Sequence, residues 1–423
     1  MQSARIPVAP SHWSDLSFAY VGNSARLRLA NIPIYDVPEI LVAGTQAEFL
    51  SYEPSAIQGN DDGTIFLVDG WRVYLAPDGL ETYLKSSGIS LDAFAVLPDG
   101  SCVDPCGGVQ DLREARIVVD EDRIRRDALF GLRTVMLASE VGFELPTQVQ
   151  QGIRECASGI FVGSRDETRY LLTRLLVSRH PIQGLDFLRK TQLLAFLLPE
   201  VSALIDFHRS CPHHHKDVWR HTAQVVAQAL PRPILRWAAL LHDIGKVHTR
   251  SYTSKGKVHF FRHDNVGAYM FEGIASRLNF PPEMAEKIRV LILYHLRPAM
   301  YEPDWSDSAV RRFSKQLAVA LPELLELARA DITTKRPKTR RRAIFRLYEL
   351  RSRMLTLQQR EKDKVPSVPQ GLGSVIINKL GVTPGPEVGI LRGRCQEAVA
   401  QGTLPTDATV DQFIDFLRAE MAG

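Results

Sequence analysis

The sequence predicts an α+β fold, in which a small mixed-sheet head precedes a long all-helical body. Short apolar runs separated by turn residues occupy roughly the first hundred positions, a pattern typical of β-strands. From about Asp120 to about Arg360, apolar residues recur every three or four positions, a spacing typical of amphipathic helices. A segment rich in proline and glycine at 365–373 then predicts a linker to a short tail, which ends in an amphipathic stretch at 410–417.

Two β-hairpins are predicted in the head. Residues 65–68 are apolar, residues 71–75 are apolar except for Arg72, and the two runs flank Asp69-Gly70, a dipeptide typical of two-residue hairpin turns. The apolar residues 94–97 run into Pro98-Asp99-Gly100, which predicts a second turn.

Composition restricts the class of protein. The 423 residues suggest roughly two to four domains, and 45% hydrophobic with 24% charged residues indicates a soluble globular chain. No run approaches the length of about 18 apolar residues that a membrane span needs, and the N-terminal segment lacks a signal-peptide pattern. We therefore expect a cytoplasmic protein without a membrane partner. Five scattered cysteines without a CxxC pair predict neither a disulfide framework nor a thiolate zinc site.

Histidine and aspartate residues recur within or beside apolar helical stripes between residues 219 and 331. Buried ionisable groups are costly unless they are paired or bind metal, and several of them converging from separate helices are typical of a metal site in a bundle. Nitrogen and oxygen ligands without thiolate suit Mn, Fe, Ni, Co, Mg or Zn, and the sequence does not choose among them. Lys246, four residues after His242, is expected on the same helix face, where it would hold a phosphate oxygen. The candidate residues are His221, His242, Asp243, His263, His295 and Asp331.

The segment Ala-Leu-Leu-His-Asp-Ile-Gly-Lys at 239–246 resembles the HD phosphohydrolase superfamily, together with a histidine upstream and an aspartate downstream. The resemblance implies a divalent metal ion held by four residues, His221, His242, Asp243 and Asp331. Two further residues, His263 and His295, match positions that in two-metal members bind a second ion, and they would otherwise contact phosphate or protonate the leaving oxygen. Of the other histidines, 213–215 are expected in a solvated loop rather than in a second metal centre. His248 and His259 flank a turn rich in lysine and glycine, where an exposed loop is expected and contact with substrate is the alternative.

Further segments resemble bacterial CCA-adding enzymes, the tRNA nucleotidyltransferases, in the order of that family. Residues 103–112 are similar to the D-P-F-G-G-x-x-D-L of its head, and residues 123–133 to its neck helix, R-F-R-E-D-x-L-R-x-L-R. Residues 260–267 are similar to F-x-G-H-E-x-x-G, and residues 384–389 to the G-P-x-V-G of its tail. The resemblance covers the whole chain and implies four parts: a nucleotidyltransferase-like head at 1–118, a helical neck at 119–205, an HD domain at 206–364, and a linker and tail at 365–423.

The catalytic positions of the head depart from the family pattern. In the family's G-G-x-V-R-D motif, Leu27 replaces the final aspartate. We place the D-x-D pair at 34–38, where Asp36 remains and Pro38 replaces the second aspartate. Two-metal nucleotidyl transfer needs such a carboxylate pair. The R-R-D-F-x-x-N-A segment at 86–93 has lost both arginines and its Asp and Asn, and E-D-x-x-R keeps only Asp127. We therefore predict a head without nucleotidyltransferase activity, retained for binding RNA.

A basic run follows the last candidate ligand. Six of the eight residues at 335–342 are cationic, a clustering that favours contact with an RNA backbone, although a solvated charged face is the alternative. The predicted RNA-binding residues are Lys335, Arg336, Lys338, Arg340, Arg341 and Arg342.

The sequence thus predicts a metal-dependent phosphohydrolase acting on phosphorylated RNA ends, which include those of tRNA. The resemblance implies 2′,3′-cyclic phosphate and 2′-phosphate substrates. Three alternatives stay open: a head still active through Asp61-Asp62 or Asp69, an RNA-binding protein with both sites silent, and a substrate unrelated to RNA such as a cyclic dinucleotide. The number of metal ions and the oligomeric state are left undetermined.

Overall fold

The computed structural model describes residues 9–10, 13, 17–30, 38–53, 55–58, 65–68, 70–207, 217–254, 258–318, 320–362 and 368–422. Within them the predicted fold class is confirmed: a mixed sheet precedes a largely helical body. The body departs from the all-helical expectation at one place among the described residues, where a short hairpin interrupts the helices at 250–260. Its two strands have three residues each, which is too short to display an alternating apolar pattern.

The head is built on a seven-stranded sheet with the order β3-β4-β5-β2-β1-β6-β7. Strands β2 and β5 pair in parallel and the other neighbours are antiparallel. Both predicted hairpins are present, as β4–β5 and β6–β7. The strands are β1 Phe18–Tyr20, β2 Glu39–Ala43, β3 Ile57–Gln58, β4 Ile65–Val68, β5 Trp71–Ala76, β6 Ala95–Val96 and β7 Cys102–Val103. The helices of the head are α1 Gly22–Ala30, α2 Gln46–Tyr52, α3 Leu80–Ser86 and α4 Gly108–Arg113.

A series of α-helices follows the head, and side-chain caps define where several of them begin. Asp127 accepts a hydrogen bond from the Phe130 amide and starts α6, and Gly142, in the left-handed conformation that glycine tolerates, ends it. Ser164 caps α8 in the same way as Asp127 caps α6. The helices are α5 Glu121–Ile124, α6 Ala128–Val141, α7 Thr147–Cys156, α8 Arg165–Val177, α9 Pro181–Lys190, α10 Leu193–Leu197 and α11 Pro199–Phe207.

The histidine-rich region is a helical bundle that includes the hairpin β8–β9. Its apolar centre comes from the second helix, α13, in which every residue from Leu235 to Leu241 is buried. The elements from 218 to 362 are, in chain order, α12 Val218–Gln228, α13 Pro233–Leu241, α14 Lys246–Thr249, β8 Arg250–Tyr252, β9 Val258–Phe260, α15 His263–Arg277, α16 Pro282–Tyr294, α17 Asp307–Gln316, α18 Leu321–Asp331 and α19 Pro337–Lys362.

The chain divides into two compact units. One comprises residues 1–304 and 316–348, and the other comprises residues 305–315 and 349–423. The second unit contains α20 Leu372–Leu380, α21 Pro386–Ala400 and α22 Val410–Ala422, so the predicted amphipathic stretch at 410–417 is confirmed as a helix. Its own core includes Leu372, Ile376, Leu391, Phe413 and Leu417.

Candidate metal centre and the pocket of the head

The adjacent pair His242-Asp243 lies in the turn that follows α13. Helix α13 ends at Leu241, and residues 242–245 form the turn that leads into α14. The expectation that Lys246 shares a helix face with His242 is therefore wrong, because the helix ends between the two residues. Lys246 instead turns back towards the pair, and its Nζ lies 2.5 Å from Oδ2 of Asp243.

Gly245 allows the turn to pack directly against the start of α15. A Cβ atom at this position would lie 2.1 Å from the carbonyl oxygen of His263 and 2.7 Å from the amide nitrogen of Gly267. Because glycine has no Cβ, the two segments approach closely, and Nε2 of His263 comes within 3.4 Å of Oδ1 of Asp243.

The histidines of the centre are oriented by hydrogen bonds at Nδ1. Three of them have a backbone carbonyl as partner, which fixes Nδ1 as the donor and leaves the Nε2 lone pair of the neutral ring facing the centre. These bonds run from His242 to Ala239 at 2.9 Å, from His263 to Phe260 at 2.8 Å and from His295 to Ile292 at 2.7 Å. In the fourth ring, Nδ1 of His221 lies 2.9 Å from the hydroxyl of Thr333.

The structure brings all six predicted ligand residues together, in two clusters. One consists of His221, His242 and Asp331, and the other of Asp243, His263 and His295; within each, the ligand atoms lie within 4.8 Å of one another. Five of the six sit at a helix end or in the turn after α13, so helix packing places them side by side.

The carboxylate of Asp243 stands between the two clusters. Its Oδ2 lies 3.2 Å from Nε2 of His242 and 3.5 Å from Nε2 of His221. Its Oδ1 faces the second cluster, 3.4 Å from Nε2 of His263 and 3.9 Å from Nε2 of His295. One oxygen thus serves each cluster.

Charge within the centre favours a bound cation. Burial opposes ionisation of Asp243, but His242 and Lys246 outweigh it and hold the pKa of that carboxyl well below its usual range. Burial likewise opposes ionisation of Asp331, yet the hydrogen bond with His221 lowers its pKa to about 2. Burial lowers the pKa of His295 to about 4, so this ring is neutral near pH 7. Burial opposes protonation of His242, but the carboxylate of Asp243 outweighs it and raises the pKa of this ring above its usual value. The two anionic carboxylates and the neutral ring of His295 are protonation states that metal ligands require.

The donor set fits a divalent ion. Four imidazoles and two carboxylates without a thiolate suit the metals expected from the sequence and do not distinguish among them. Four of the six residues are almost completely buried, whereas the side chains of His221 and Asp331 are 15% and 30% exposed. The centre therefore opens on the side of these two residues.

The basic run lies next to this opening. The segment after Asp331 leads directly into α19, which begins at Pro337. All six predicted RNA-binding residues are exposed there: Lys335, Arg336, Lys338, Arg340, Arg341 and Arg342.

A polar cavity of about 210 Å³ in the head lies at the start of β2, lined by Gly22, Glu39, Tyr74 and Arg174 among others. Two carboxylates line it, those of Glu39 and Asp92, and the sequence reasoning missed Glu39. Pro38 precedes the strand, and Asp36 lies outside the described residues. An acid inside the apolar strand Glu-Ile-Leu-Val-Ala is the signal that points to this position.

Glu39 is held by three partners within the protein. Arg174 donates to its Oε1 at 2.7 Å and the Tyr74 hydroxyl donates to the same atom at 3.0 Å, while the Asn23 amide donates to Oε2 at 2.8 Å. Burial opposes its ionisation, but Arg174 and Arg26 lower the pKa of Glu39 below its usual value. Leu41, the next residue on this face of β2, is buried in the apolar core of the head.

A second charge cluster adjoins Glu39. Arg26 pairs with Asp92 at 2.5 Å and with Glu140 at 3.0 Å, and Arg133 pairs with Asp92 at 3.2 Å. The two acids that line the cavity are thus both paired with arginine, and the three arginines of the lining, Arg123, Arg133 and Arg174, leave one positive charge in excess.

The remaining sequence predictions concern other histidines and the alternative acids of the head. His248 is exposed on α14, and His259 lies half-buried on β9, where its ring stacks on Phe261 with centroids 5.0 Å apart. Residues 213–215, 61–62 and 69 lie outside the described residues.

The HD domain and most of the whole chain are each similar to known proteins. The family model of the HD domain matches residues 213–336. The A-adding tRNA nucleotidyltransferase of Deinococcus radiodurans is 30% identical over 362 residues, which cover 82% of this chain and 81% of that protein. The CC-adding tRNA nucleotidyltransferase of Thermus thermophilus is 32% identical over 337 residues, which cover 77% and 75%.

The fold is similar to that of a solved relative. The CCA-adding enzyme of Bacillus stearothermophilus in complex with CTP aligns with a TM-score of 0.54 at 20% identity, covering 97% of this chain and 96% of that one. Among the described residues, no helix has the length and apolar character needed to cross a membrane.

Proposed function

Because this chain belongs to the family of CCA-adding tRNA nucleotidyltransferases and contains an HD domain, we propose that its HD domain is a metal-dependent phosphohydrolase for phosphorylated RNA ends. The substrates would be 2′,3′-cyclic phosphate and 2′-phosphate ends, including those of tRNA. The observation that carries the proposal is the convergence of four imidazoles and two carboxylates in two adjoining clusters, one of which is partly exposed.

The residues divide into roles by position. His221, His242 and Asp331 would hold one divalent ion at the exposed side, and His263 and His295 a second one in the interior, with Asp243 serving both. When bound, such an ion promotes ionisation of water near neutral pH and offsets charge on phosphoryl oxygens. His295 is 2% exposed, and its Nδ1 is bonded to Ile292, so its remaining nitrogen suits ligation better than proton transfer to a leaving oxygen.

Lys246 would contact the phosphate. Its ammonium group pairs with Oδ2 of Asp243 at the rim of the centre, and its side chain is 20% exposed. A phosphoryl oxygen arriving there would find a cation already placed beside the metal ligands. This charge would offset the negative charge that develops during attack on phosphorus.

The head would bind RNA without adding nucleotides. Two-metal transfer needs a pair of carboxylates on adjacent positions of one strand face. Among the described residues of β2, that face carries Glu39 followed by Leu41, and the guanidinium of Arg174 already neutralises Glu39. These contacts do not fit a nucleotide-bound pair of metal ions, and they support a head retained for its shape.

Nucleotidyl transfer is the second candidate, and the comparisons favour it over cyclic-phosphate hydrolysis. The two relatives described above are named for adding A and CC to tRNA, and each alignment covers three quarters or more of this chain. This activity would require a second carboxylate beside Glu39 that is free to hold metal. Asp92 of the same cavity is paired with Arg26 and Arg133, and Asp36 lies outside the described residues.

One preparation can test both candidates. RNA oligonucleotides ending in 2′,3′-cyclic phosphate, 2′-phosphate or 3′-phosphate would be incubated with protein loaded with Mn, Ni, Co, Mg or Zn. In parallel, tRNA lacking its 3′ end would be supplied with labelled CTP or ATP. We expect phosphate-end hydrolysis and no incorporation. Incorporation that disappears in Asp36→Ala or Glu39→Gln, without hydrolysis of any end, would establish nucleotidyl transfer instead.

A further inference from the structure

The four imidazoles of the metal centre differ in the group that holds Nδ1. In His242, His263 and His295 this group is a backbone carbonyl oxygen. A carbonyl oxygen only accepts hydrogen bonds, so these three rings carry a hydrogen on Nδ1. In His221 the partner is the hydroxyl of Thr333, at 2.9 Å. Because a hydroxyl both donates and accepts, it does not fix the position of the ring hydrogen of His221.

The packing of α12 against α18 holds Thr333 beside this ring. His221 lies in the first turn of α12, and Thr333 follows Asp331, the last residue of α18, by two positions. The side-chain amide of Gln228, at the end of α12, donates to the carbonyl oxygen of Ala330 at 2.6 Å and ties the two helices together. Among the described residues, the hydroxyl of Thr333 has no partner besides the ring of His221, so it is able to turn to either role.

The other nitrogen of His221 faces two carboxylates. Its Nε2 lies 3.0 Å from Oδ1 of Asp331 and 3.5 Å from Oδ2 of Asp243. Ionised carboxylates only accept, so these contacts place a hydrogen on Nε2, and Nδ1 of the neutral ring then accepts from Thr333. A divalent ion needs the lone pair of Nε2, which a neutral ring offers only when its hydrogen is on Nδ1. His221 therefore has to exchange tautomers to become a ligand, and Thr333 has a hydrogen bond to offer in both.

No such exchange is needed in the interior cluster. Nε2 of His263 lies 3.2 Å from Nε2 of His295, and the hydrogens of both rings are held at Nδ1 by carbonyl oxygens. The lone pairs of the two neutral rings face each other, an arrangement that a cation between them stabilises. The interior cluster is thus prepared for an ion, whereas the exposed cluster depends on a side-chain hydroxyl.

We propose that Thr333 is a positioning residue for the exposed cluster of His221, His242 and Asp331, where its hydroxyl accepts the Nδ1 hydrogen of His221 and so frees Nε2 for an ion. Loss of the hydroxyl leaves this Nδ1 without an acceptor, and the ring keeps its hydrogen on Nε2, bonded to Asp331. The interior cluster holds its ion independently of Thr333. The proposal rests on the two-ion centre of the proposed function and names the residue that makes the two sites unequal.

Metal binding tests the role of Thr333 without requiring hydrolysis. Calorimetric titration of the full-length protein with Co²⁺, together with the visible absorption of the bound ion, would resolve the affinities of the two clusters. We expect Thr333→Val, which keeps the shape of the side chain, to weaken one of the two ions by about 10- to 100-fold, as is usual when a ligand loses its outer hydrogen-bond partner. The other ion should bind as in the wild type, and Thr333→Ser should restore most of the loss. Thr334→Val is the matched control, because the hydroxyl of Thr334 accepts from the amide of Arg336 at 3.3 Å.

Nitrogen NMR of histidine-labelled protein gives the second measurement. The signals of His221, assigned by their loss in His221→Gln, would report which nitrogen carries the hydrogen before and after addition of Zn²⁺. We expect the hydrogen to move from Nε2 to Nδ1 in the wild type and in Thr333→Ser. A hydrogen that is on Nδ1 before Zn²⁺ is added would overturn the proposal.

The binding experiment separates this proposal from the proposed function. Unchanged Co²⁺ affinities in Thr333→Val would overturn the role of Thr333, as would a loss that Thr333→Ser does not restore, which would assign the effect to packing. Protein that shows the expected loss in Thr333→Val, yet hydrolyses none of the phosphate ends, would refute the proposed function and retain the role of Thr333.

Discussion

The guanidinium of Arg174 lies 2.7 Å from the carboxylate of Glu39, and both side chains are almost fully buried. The two residues are 135 positions apart, so the contact joins α8 of the body to β2 of the head. Arg174 also pairs with Glu140 of α6 at 2.7 Å. Arg26, which is also buried, pairs with Glu140 at 3.0 Å, so two buried cations share the compensation of acids from different parts of the chain.

Removal of Arg174 should destabilise the protein strongly. Arg174→Ala leaves Glu39 buried without its ion-pair partner, and breaking such a pair costs about 3–5 kcal/mol in free energy of unfolding. Urea unfolding followed by circular dichroism would measure it. Arg189→Ala is the control, because that arginine belongs to a solvent-exposed pair with Asp186 and should cost less than about 1 kcal/mol. Equal effects of the two substitutions would contradict this account of Glu39.

Substitutions at Asp243 and Lys246 should affect metal binding and turnover differently. Asp243→Ala removes the carboxylate shared by both clusters, so we expect metal content to fall together with hydrolysis of a 2′,3′-cyclic phosphate end, by more than about 100-fold in rate. Lys246→Ala should slow turnover by about 100-fold while the metal stays bound, because the ammonium group is not a ligand. Metal analysis, circular dichroism and phosphate release on the same preparations would measure these effects.

A fully active Asp243→Ala variant, or wild-type protein that binds no divalent ion, would refute the metal centre. Both Asp243→Ala and Lys246→Ala should retain the fold, since buried apolar residues such as Leu240 and Leu241 pack α13 into the bundle.

The basic run should contribute to the salt dependence of RNA binding. Replacing Arg340, Arg341 and Arg342 by Ala should weaken binding and reduce the slope of log K against log salt by about 0.7 for each RNA phosphate that the variant no longer neutralises. The control is the triple variant Lys85→Ala, Lys287→Ala and Lys379→Ala, which changes the net charge equally on three other helices. The same reduction in both triple variants would indicate a nonspecific effect of net charge.

Acidification should lower the stability of the head because Asp92 becomes protonated. Burial opposes ionisation of this carboxyl, but Arg26 and Arg133 outweigh it and lower its pKa from 3.8 to about 2. The ionised form therefore stabilises the fold by about 2 kcal/mol above pH 4, and this contribution is lost as the pH falls from about 4 towards 2. In Asp92→Asn the free energy of unfolding should be lower at pH 7 and fall less steeply across that window. Asp122→Asn, at an exposed site, should retain the wild-type pH dependence.

The sequence predicted the parts of the protein in which local pattern and structure coincide. The hairpin around Gly70 and the helix at 410–422 have clear turn or amphipathic patterns, and the His242-Asp243 pair stands out within an apolar stripe. The predicted position of Lys246 on the same helix face as His242 was wrong. The apolar spacing continues through Ile244, so periodicity does not reveal that α13 ends at Leu241.

Glu39 could not be identified in the same way, because its environment is created at long range. Its partner Arg174 comes from a helix 135 residues later, and no local pattern connects the two.

Gly245 has no chemical function, yet the geometry of the centre is sensitive to its substitution. Any side chain there would collide with the carbonyl of His263, and α15 would have to move away from the turn at 242–245. Such a displacement separates His263 from Asp243 while every ligand keeps its identity. In a survey of variants, substitutions at this glycine would therefore be scored with those of the active site, although the residue offers neither a donor nor a charge.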